Sequence, residues 1–212
     1  MNNRYQIGNA QIIGCREIQS NYFATVFNEN DDLLAVLADG TIDHPNGRAA
    51  AMMAVEICTN TFRQRFAIVQ HEHGNQFLFD TAMKANSRIQ ETFYFGRSPR
   101  VSLAMVLFIG DKLQYFNVGV SKVLLYNGHN ERTLGNVTSG SYSSGICEFP
   151  QGSIAGLFSA GAHANVHPME RLKIIESKKE VFDKAQAVID TVRKKGLDNQ
   201  MNATALLVEA AR

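Results

Sequence analysis

The sequence has little of several residue types, and each shortage excludes a class of protein. Tryptophan is absent, and only three cysteines and four prolines occur among 212 residues. The cysteines, Cys15, Cys58 and Cys147, are far apart and odd in number, so they predict neither a disulfide framework nor a zinc site. We therefore expect a reducing, cytoplasmic setting for this chain.

Long apolar runs and an excess of charge are also missing. No apolar stretch is long enough to span a bilayer, and the start of the chain, MNNRYQIGNAQ, lacks the apolar core of a signal peptide. The net charge of +1 gives no argument for a nucleic acid or an acidic membrane as partner. A hydrophobic content of 45% still supports a sizeable core, and we expect residues 1–212 to form a single domain.

The order of the strand and helix patterns predicts an α+β fold. Apolar runs bounded by turn signals predict strands at 23–27, 33–38, 102–109, 112–118, 122–126, 154–159 and 203–210. Helical spacing predicts helices beginning near Arg48, near Phe77 and near Pro168, the last pattern continuing to Lys195. The HEHG and TSGSYSSG segments, at 71–74 and 138–145, have the composition of loops. Because helices are grouped and do not alternate strictly with strands, antiparallel sheets are expected.

An acidic residue stands at the end of the most apolar predicted strand. The segment LLAVLADG ends in Asp39 and Gly40, and a loop that contains His44 follows. Two other strand boundaries are comparable: the strand at 154–159 is followed by Ala160, and Asp198 precedes the last strand. An Asp-Gly pair is also a common turn signal, so Asp39 alone does not define a site.

Five short motifs in this order resemble those of the PPM family. These are the metal-dependent type 2C serine/threonine protein phosphatases, including their bacterial stage II sporulation protein E relatives. The motifs are GCREIQSN, LAVLADGTIDHPNGRAA, LQYFNVGVSKVLLYNG, PQGSIAGLFSAG and LDNQMNATALLVE. The resemblance extends from about Gly8 to Val208, and the shared order of the motifs carries it.

The resemblance implies a fold and a chemistry. The fold would be a four-layer α/β/β/α sandwich, with two antiparallel sheets flanked by helices. Two divalent ions, usually Mn²⁺ or Mg²⁺, would bind at one end and activate water for hydrolysis of a phosphoester. Matched position by position, Asp39, the Gly40 carbonyl and Asp198 would bind metal, and Arg16 would hold the phosphate. Arg16, Asp39 and Asp198 would thus be the catalytic residues.

The departures from the family pattern fall on positions that should carry this chemistry. Asn21 stands where the opening motif should end in Asp, and Ala160 stands where a Ser-Asp-Gly motif should supply a carboxylate. Each unit charge lost about 4 Å from an ion is worth roughly 4 kcal/mol per unit of ion charge. The sequence therefore predicts a weak or absent Mn or Mg centre. Asp43 could replace a lost carboxylate, or it could be a solvated loop acid or the N-cap of the next helix.

Two functional hypotheses follow from these motifs. The favoured one is a catalytically impaired phosphatase-like domain, a pseudophosphatase, that binds a protein or phosphoprotein partner. It is motivated by the two lost carboxylates and by Val120, which stands where the family has Asp. The alternative is an active Mn- or Mg-dependent phosphoserine/phosphothreonine protein phosphatase with a weakened metal site. It is motivated by Arg16, Asp39 and Asp198.

Overall fold

The computed structural model describes residues 4–41, 44–66, 71–94, 96–135 and 141–211. The strands are β1 (Tyr5–Ile12), β2 (Asn21–Phe27), β3 (Leu33–Gly40), β4 (Val101–Ile109), β5 (Lys112–Val118), β6 (Lys122–Asn127), β7 (Asn130–Thr133), β8 (Tyr142–Glu148), β9 (Ile154–Phe158) and β10 (Ala203–Ala210). The helices are α1 (Gly47–Arg65), α2 (Gly74–Thr92), α3 (Ala160–His163), α4 (Pro168–Ile175) and α5 (Val181–Lys194). None of the described helices is long and apolar enough to cross a membrane.

The strands form two five-stranded antiparallel sheets. The first sheet has the order β1-β10-β9-β6-β7, and the second has the order β2-β3-β4-β5-β8. Helices α1 and α2 pack on the outer face of the second sheet, while α4 and α5 pack on the outer face of the first. The inner faces of the two sheets form a third apolar core. This is the predicted α+β fold, a four-layer α/β/β/α sandwich.

Strand β3 contributes to two of these cores at once. Leu34 and Val36 pack in the core with α1 and α2, whereas Leu33 and Leu37 pack in the core between the sheets. Both faces are fully buried, which explains why this strand is a continuous apolar run. Because side chains alternate along a strand, Asp39 follows Leu33 and Leu37 on the face between the sheets.

The loop predicted for the TSGSYSSG segment is wrong over residues 142–145. These residues begin β8, which pairs with β5 from Tyr142 to Glu148. Ser and Gly are poor strand formers, but pairing with a neighbouring strand overrides that preference. Gly145 fits this place because a Cβ atom there would lie 2.8 Å from the Tyr115 hydroxyl.

Three other differences concern helix and strand boundaries. The helical pattern from Pro168 to Lys195 is two helices, since the intervening residues 176–180 are all polar and continue no apolar stripe. The segment predicted as a loop at 71–74 is a 3₁₀ turn, His71–His73, followed directly by α2. Strand β1 was not predicted because Gly8 and Asn9 interrupt the alternation of its apolar and polar residues; β10 is its neighbour in the sheet.

Candidate functional site

Polar side chains replace the apolar core at one end of the space between the sheets. Asn21, Asp39 and Ser102 are direct cross-strand neighbours on β2, β3 and β4. From the other sheet, the Ser159 N–H donates to the Thr204 carbonyl and the Thr204 N–H donates to Ser159 Oγ, both at 3.0 Å. We call these five residues the polar end layer.

The Asp39 carboxylate is largely buried within the polar end layer. It accepts a hydrogen bond from the backbone N–H of Ala160, the first residue of α3. Burial raises the pKa of Asp39 to about 6, and the bond from Ala160 offsets part of this rise. No basic side chain pairs with Asp39 among the described residues. The bond brings together two of the positions at which the resemblance implies metal ligands.

Asn21 joins the two sheets next to Asp39. Its Nδ2 donates to Thr204 Oγ1 at 3.1 Å, across the space between the sheets. Its Oδ1 is buried and has no hydrogen-bond partner in the described part of the chain. Buried oxygens without partners are rare in proteins and therefore call for an explanation, such as an ion, a water molecule or a functional role.

Gly40 lets the start of α1 lie against the end of β3. A Cβ atom on Gly40 would lie 2.1 Å from the Gly47 carbonyl oxygen, and one on Gly47 would lie 2.1 Å from the Thr41 carbonyl oxygen. The Gly40 N–H donates to the Ser20 carbonyl at 3.0 Å, which also fixes the end of β3 to the chain before β2. Only glycine allows this backbone contact.

His44 orders the loop between β3 and α1. Its Nδ1 accepts from the Asn46 N–H at 3.1 Å, so its Nε2 carries the proton and donates to the Arg97 carbonyl at 2.5 Å. Asn46, and not Asp43, is the N-cap residue of α1, so the hypothesis that Asp43 caps this helix is wrong. Asp43 lies outside the described residues, and its role as a replacement ligand stays a prediction.

Arg16 and Asp198 lie on two exposed loops that are fastened to each other at this same end. The Cys15 N–H donates to the Gln200 carbonyl at 2.9 Å, and Cys15 Sγ donates to the Leu197 carbonyl at 3.3 Å. Neither the Arg16 nor the Asp198 side chain bonds to Asp39 among the residues described. The predicted site residues are therefore divided between a buried part and an exposed rim.

Asn202 connects this rim to the polar end layer. Its Nδ2 donates to the Ile13 carbonyl at 2.7 Å, and its Oδ1 accepts from the Ser20 N–H at 2.8 Å, one residue before Asn21. The sequence analysis missed Asn202, together with Ser159 and Thr204. Ser159 and Thr204 are polar residues at the ends of buried apolar strands, which is the same signal that identified Asp39.

The described residues do not fit a two-metal centre. No group of three or more His, Cys, Asp or Glu side chains comes together in the described part of the chain. Asp39 offers the one carboxylate of the polar end layer, Asn21 and Gly40 offer neutral oxygens, and Ala160 offers no side-chain ligand. Mg²⁺ binds through carboxylates in near-ideal octahedral geometry, and Mn²⁺ prefers similar oxygen ligands. This donor set suits at most one weakly held ion.

A surface cleft between α1 and α2 lies away from this site. Thr61, Arg65, Phe77 and Lys84 are among its lining residues. At about 1.5 Å per helical residue, Thr61 is roughly 20 Å along α1 from Gly47. The cleft therefore does not belong to the polar end layer.

Comparison with known proteins identifies the fold. No family model and no curated protein sequence matches the chain. The serine/threonine phosphatase of S. agalactiae is similar in structure, with a TM-score of 0.86 and 17% identity, over 97% of this chain and 99% of that chain. Serine/threonine phosphatase Stp1 from Staphylococcus aureus has a TM-score of 0.86 and 13% identity, over 96% and 94% of the two chains.

A third similar structure contains metal. It is the catalytic domain of the serine threonine protein phosphatase PstP in complex with 2 manganese ions. Its TM-score is 0.82 at 15% identity, over 98% of this chain and 99% of that chain. The chain thus has the fold of bacterial PPM-type serine/threonine phosphatases, which confirms the resemblance seen in the motifs.

Proposed function

Starting from a phosphatase fold whose metal ligands are depleted, we propose that residues 1–212 form one cytoplasmic phosphatase-like domain with impaired catalysis. It binds a protein or phosphoprotein partner in bacterial-type signalling. The observation that carries this proposal is the bond between Ala160 and Asp39. A backbone N–H faces Asp39 at the position where a second metal-binding carboxylate was expected. Divalent cations bind oxygen ligands, and an N–H group in that place cannot serve as one.

The second altered position supports the same conclusion. The Asn21 amide donates to Thr204 and so joins the two sheets directly. An ionised carboxylate at position 21 could not donate this bond. The polar end layer is therefore held together by hydrogen bonds at the place where the resemblance implies metal ions.

Arg16 provides the proposed contact with a phosphorylated partner. Its side chain is exposed and forms no ion pair or hydrogen bond within the described residues. A guanidinium group can bind two phosphate oxygens at once, so an exposed and unpaired Arg16 is suited to this task. Binding of this kind needs no metal ion and no turnover.

A second candidate function is an active phosphatase with a weakened site for Mn or Mg. The buried and unpartnered Asn21 Oδ1 favours it, since Asn21 is the direct cross-strand neighbour of Asp39. Together with the Gly40 carbonyl, these two side chains could hold a single ion. The manganese ions of the PstP structure make Mn²⁺ the first metal to test.

One experiment separates the two candidates. Hydrolysis of phosphoserine and phosphothreonine peptides is measured in millimolar Mn²⁺, and Mn²⁺ binding is measured by calorimetry, for the unaltered chain and for Asp39→Ala. We expect no turnover and at most millimolar affinity for Mn²⁺. Turnover that Asp39→Ala abolishes would contradict the pseudophosphatase proposal and establish the second candidate.

A restoring variant tests the assignment of the two altered positions. Ala160→Asp combined with Asn21→Asp should raise the Mn²⁺ affinity more than tenfold, because it returns two unit charges to the site. Ala160→Asn with Asn21 unchanged is the matched control, because its two amide side chains have the size of Asp and carry no charge. Equal Mn²⁺ binding by the two variants would show that carboxylates at these positions do not set the affinity.

A further inference from the structure

Three arginines are exposed beside the polar end layer. Arg48 lies in the first turn of α1, and Arg97 and Arg100 lie in the segment between α2 and β4. We call this set the arginine surface. It lies next to Gly40, because Thr41 directly follows Gly40 and bonds to Arg100.

Hydrogen bonds hold the two segments of the arginine surface in a fixed relation. Thr41 Oγ1 donates to the Arg100 carbonyl at 2.7 Å, and the Thr41 N–H donates to the same carbonyl at 2.9 Å. His44 Nε2 donates to the Arg97 carbonyl, and the Gly47 N–H, next to Arg48, donates to the His44 carbonyl at 2.9 Å. The backbone that carries the three arginines is therefore braced.

The three guanidinium groups have no counter-charge within the described residues. None of them forms an ion pair or a side-chain hydrogen bond there, whereas Arg88, Arg171 and Arg193 each pair with a carboxylate. Residues 44–48 and 96–100 contain no Asp or Glu, and Asp43 is the acid nearest to them in the sequence. Neighbouring like charges repel one another, so a braced surface of this kind is complementary to an anionic partner.

The amount of charge limits what the partner can be. Nucleic-acid binding commonly involves roughly 6–10 phosphate contacts, and an anionic membrane is bound through clusters of about 4–8 basic residues. These three arginines are too few for a nucleic acid, and even together with Arg16 they only reach the lower limit for a membrane, on a chain whose net charge is +1. A short peptide segment with two or three carboxylates matches this number of charges.

We propose that the arginine surface binds an acidic segment of the partner protein, adjacent to the part of the partner that reaches Arg16. The identity of the partner rests on the function proposed above. The preference for acidic residues rests on the arginine surface itself and can be tested separately.

The test uses the whole chain and labelled peptides in fluorescence anisotropy. A phosphothreonine peptide with three flanking Glu residues is compared with the same peptide carrying Gln, and both are also made without phosphate. At low salt we expect the Glu peptide to bind about tenfold more tightly than the Gln peptide, a preference that salt screens. Arg97→Gln combined with Arg100→Gln should abolish this preference.

The matched control is Arg63→Gln combined with Lys178→Gln. Both side chains are exposed, neither is paired among the described residues, and the double variant removes the same total charge. Circular dichroism verifies that both double variants are folded. The control should keep the tenfold preference. An equal loss in the control, or no preference in the unaltered chain, would overturn the proposal.

Two further measurements distinguish this proposal from binding of other anions and from the function proposed above. If a single-stranded oligonucleotide or phosphatidylserine vesicles bind the arginine surface more tightly than the acidic peptide does, the peptide assignment is overturned. Arg16→Gln should lower the affinity of the chain for both phosphorylated peptides, whether Glu or Gln residues flank the phosphothreonine. A preference for Glu without any effect of phosphate or of Arg16 would support the arginine surface while contradicting phosphoprotein binding in the proposed function.

Discussion

Two charged residues inside this molecule, Arg171 and Asp39, differ in whether an opposite charge compensates them. The Arg171 side chain is 1% exposed, and it donates to both oxygens of Glu131, at 2.8 and 2.6 Å, and to the Val166 carbonyl at 2.8 Å. Burial opposes its charge, but the hydrogen bonds to Glu131 raise the pKa of Arg171. Asp39 has one backbone hydrogen bond and no cation beside it in the described residues.

The difference indicates that the charge of Arg171 stabilises the fold, whereas the charge of Asp39 does not. Arg171 and Glu131 fasten α4 to β7, and Arg171 also lies over the Phe158 ring, 5.8 Å from its centroid. Nothing comparable compensates Asp39, and burial raises its pKa to about 6. A buried carboxylate without compensation lowers stability, so its presence at the polar end layer points to a functional origin.

Breaking the compensated pair should have the largest effect. Glu131→Ala leaves the Arg171 guanidinium buried and without its carboxylate, and we expect it to lower the free energy of unfolding by about 3–5 kcal/mol. Urea denaturation measures this change. The control is Asp190→Ala, which removes the exposed partner of Arg193 and should cost no more than about 0.5 kcal/mol. Similar losses in both variants would contradict the structural role of Glu131.

Removing the charge of Asp39 should raise the free energy of unfolding, whereas breaking the pair of Arg171 and Glu131 should lower it. The pKa of Asp39 is about 6 in the fold, against 3.8 for a carboxyl group in an unfolded chain. Between these values the folded state binds more protons, so stability falls as the pH rises through this window. Asp39→Asn should abolish this fall and raise the free energy of unfolding at pH 7.5 by roughly 2–3 kcal/mol. Unfolding is followed from pH 4 to pH 8 with a chelator present.

Asp198→Asn is the control for that experiment. Asp198 is exposed and has no bond to Asp39 among the described residues, so this variant should keep the fall in stability that Asp39 causes. If Asp39→Asn keeps the fall in stability between pH 4 and pH 6, a group other than Asp39 causes it.

Adding a second charge beside Asp39 should have the smallest effect of the three. Asn21→Asp removes the N–H group that donates to Thr204 and places two carboxylates opposite each other on neighbouring strands. We expect a loss of roughly 1–2 kcal/mol at pH 7.5 without metal. Asn21→Ala removes the same bond without adding charge and should lose less. Thermal unfolding with and without Mn²⁺ measures both variants, and equal melting temperatures would contradict charge repulsion at this pair.

The α+β class followed from local strand and helix patterns, whereas the sandwich followed from the family resemblance of the motifs. The unbroken apolar run of β3 placed Asp39 at the end of a buried strand, and the resemblance implied that positions 39 and 160 belong to one site. The bond from Ala160 to Asp39 could not be predicted, because every residue except proline has a backbone N–H. The pairing of β8 with β5 was missed for a similar reason, since contact between distant segments outweighed local composition.

The arginine surface shows the same limit. Arg48 and Arg100 are 52 positions apart in the sequence, and nothing in either segment indicates that Thr41 bonds to Arg100. The exposed arginines were visible in the sequence only as three of 21 basic residues in a nearly neutral chain. Their common location became apparent only from the fold.

The backbone contact between Gly40 and Gly47 affects how this protein can evolve. Because Gly40 and Gly47 are in contact, the segment from Thr41 to Asn46 leaves the sandwich and returns to it at the same place. Part of this segment can therefore change in sequence without moving β3 or α1. Related chains could acquire new partners by changing the other positions of this segment while Thr41, His44, both glycines and the sandwich stay unchanged.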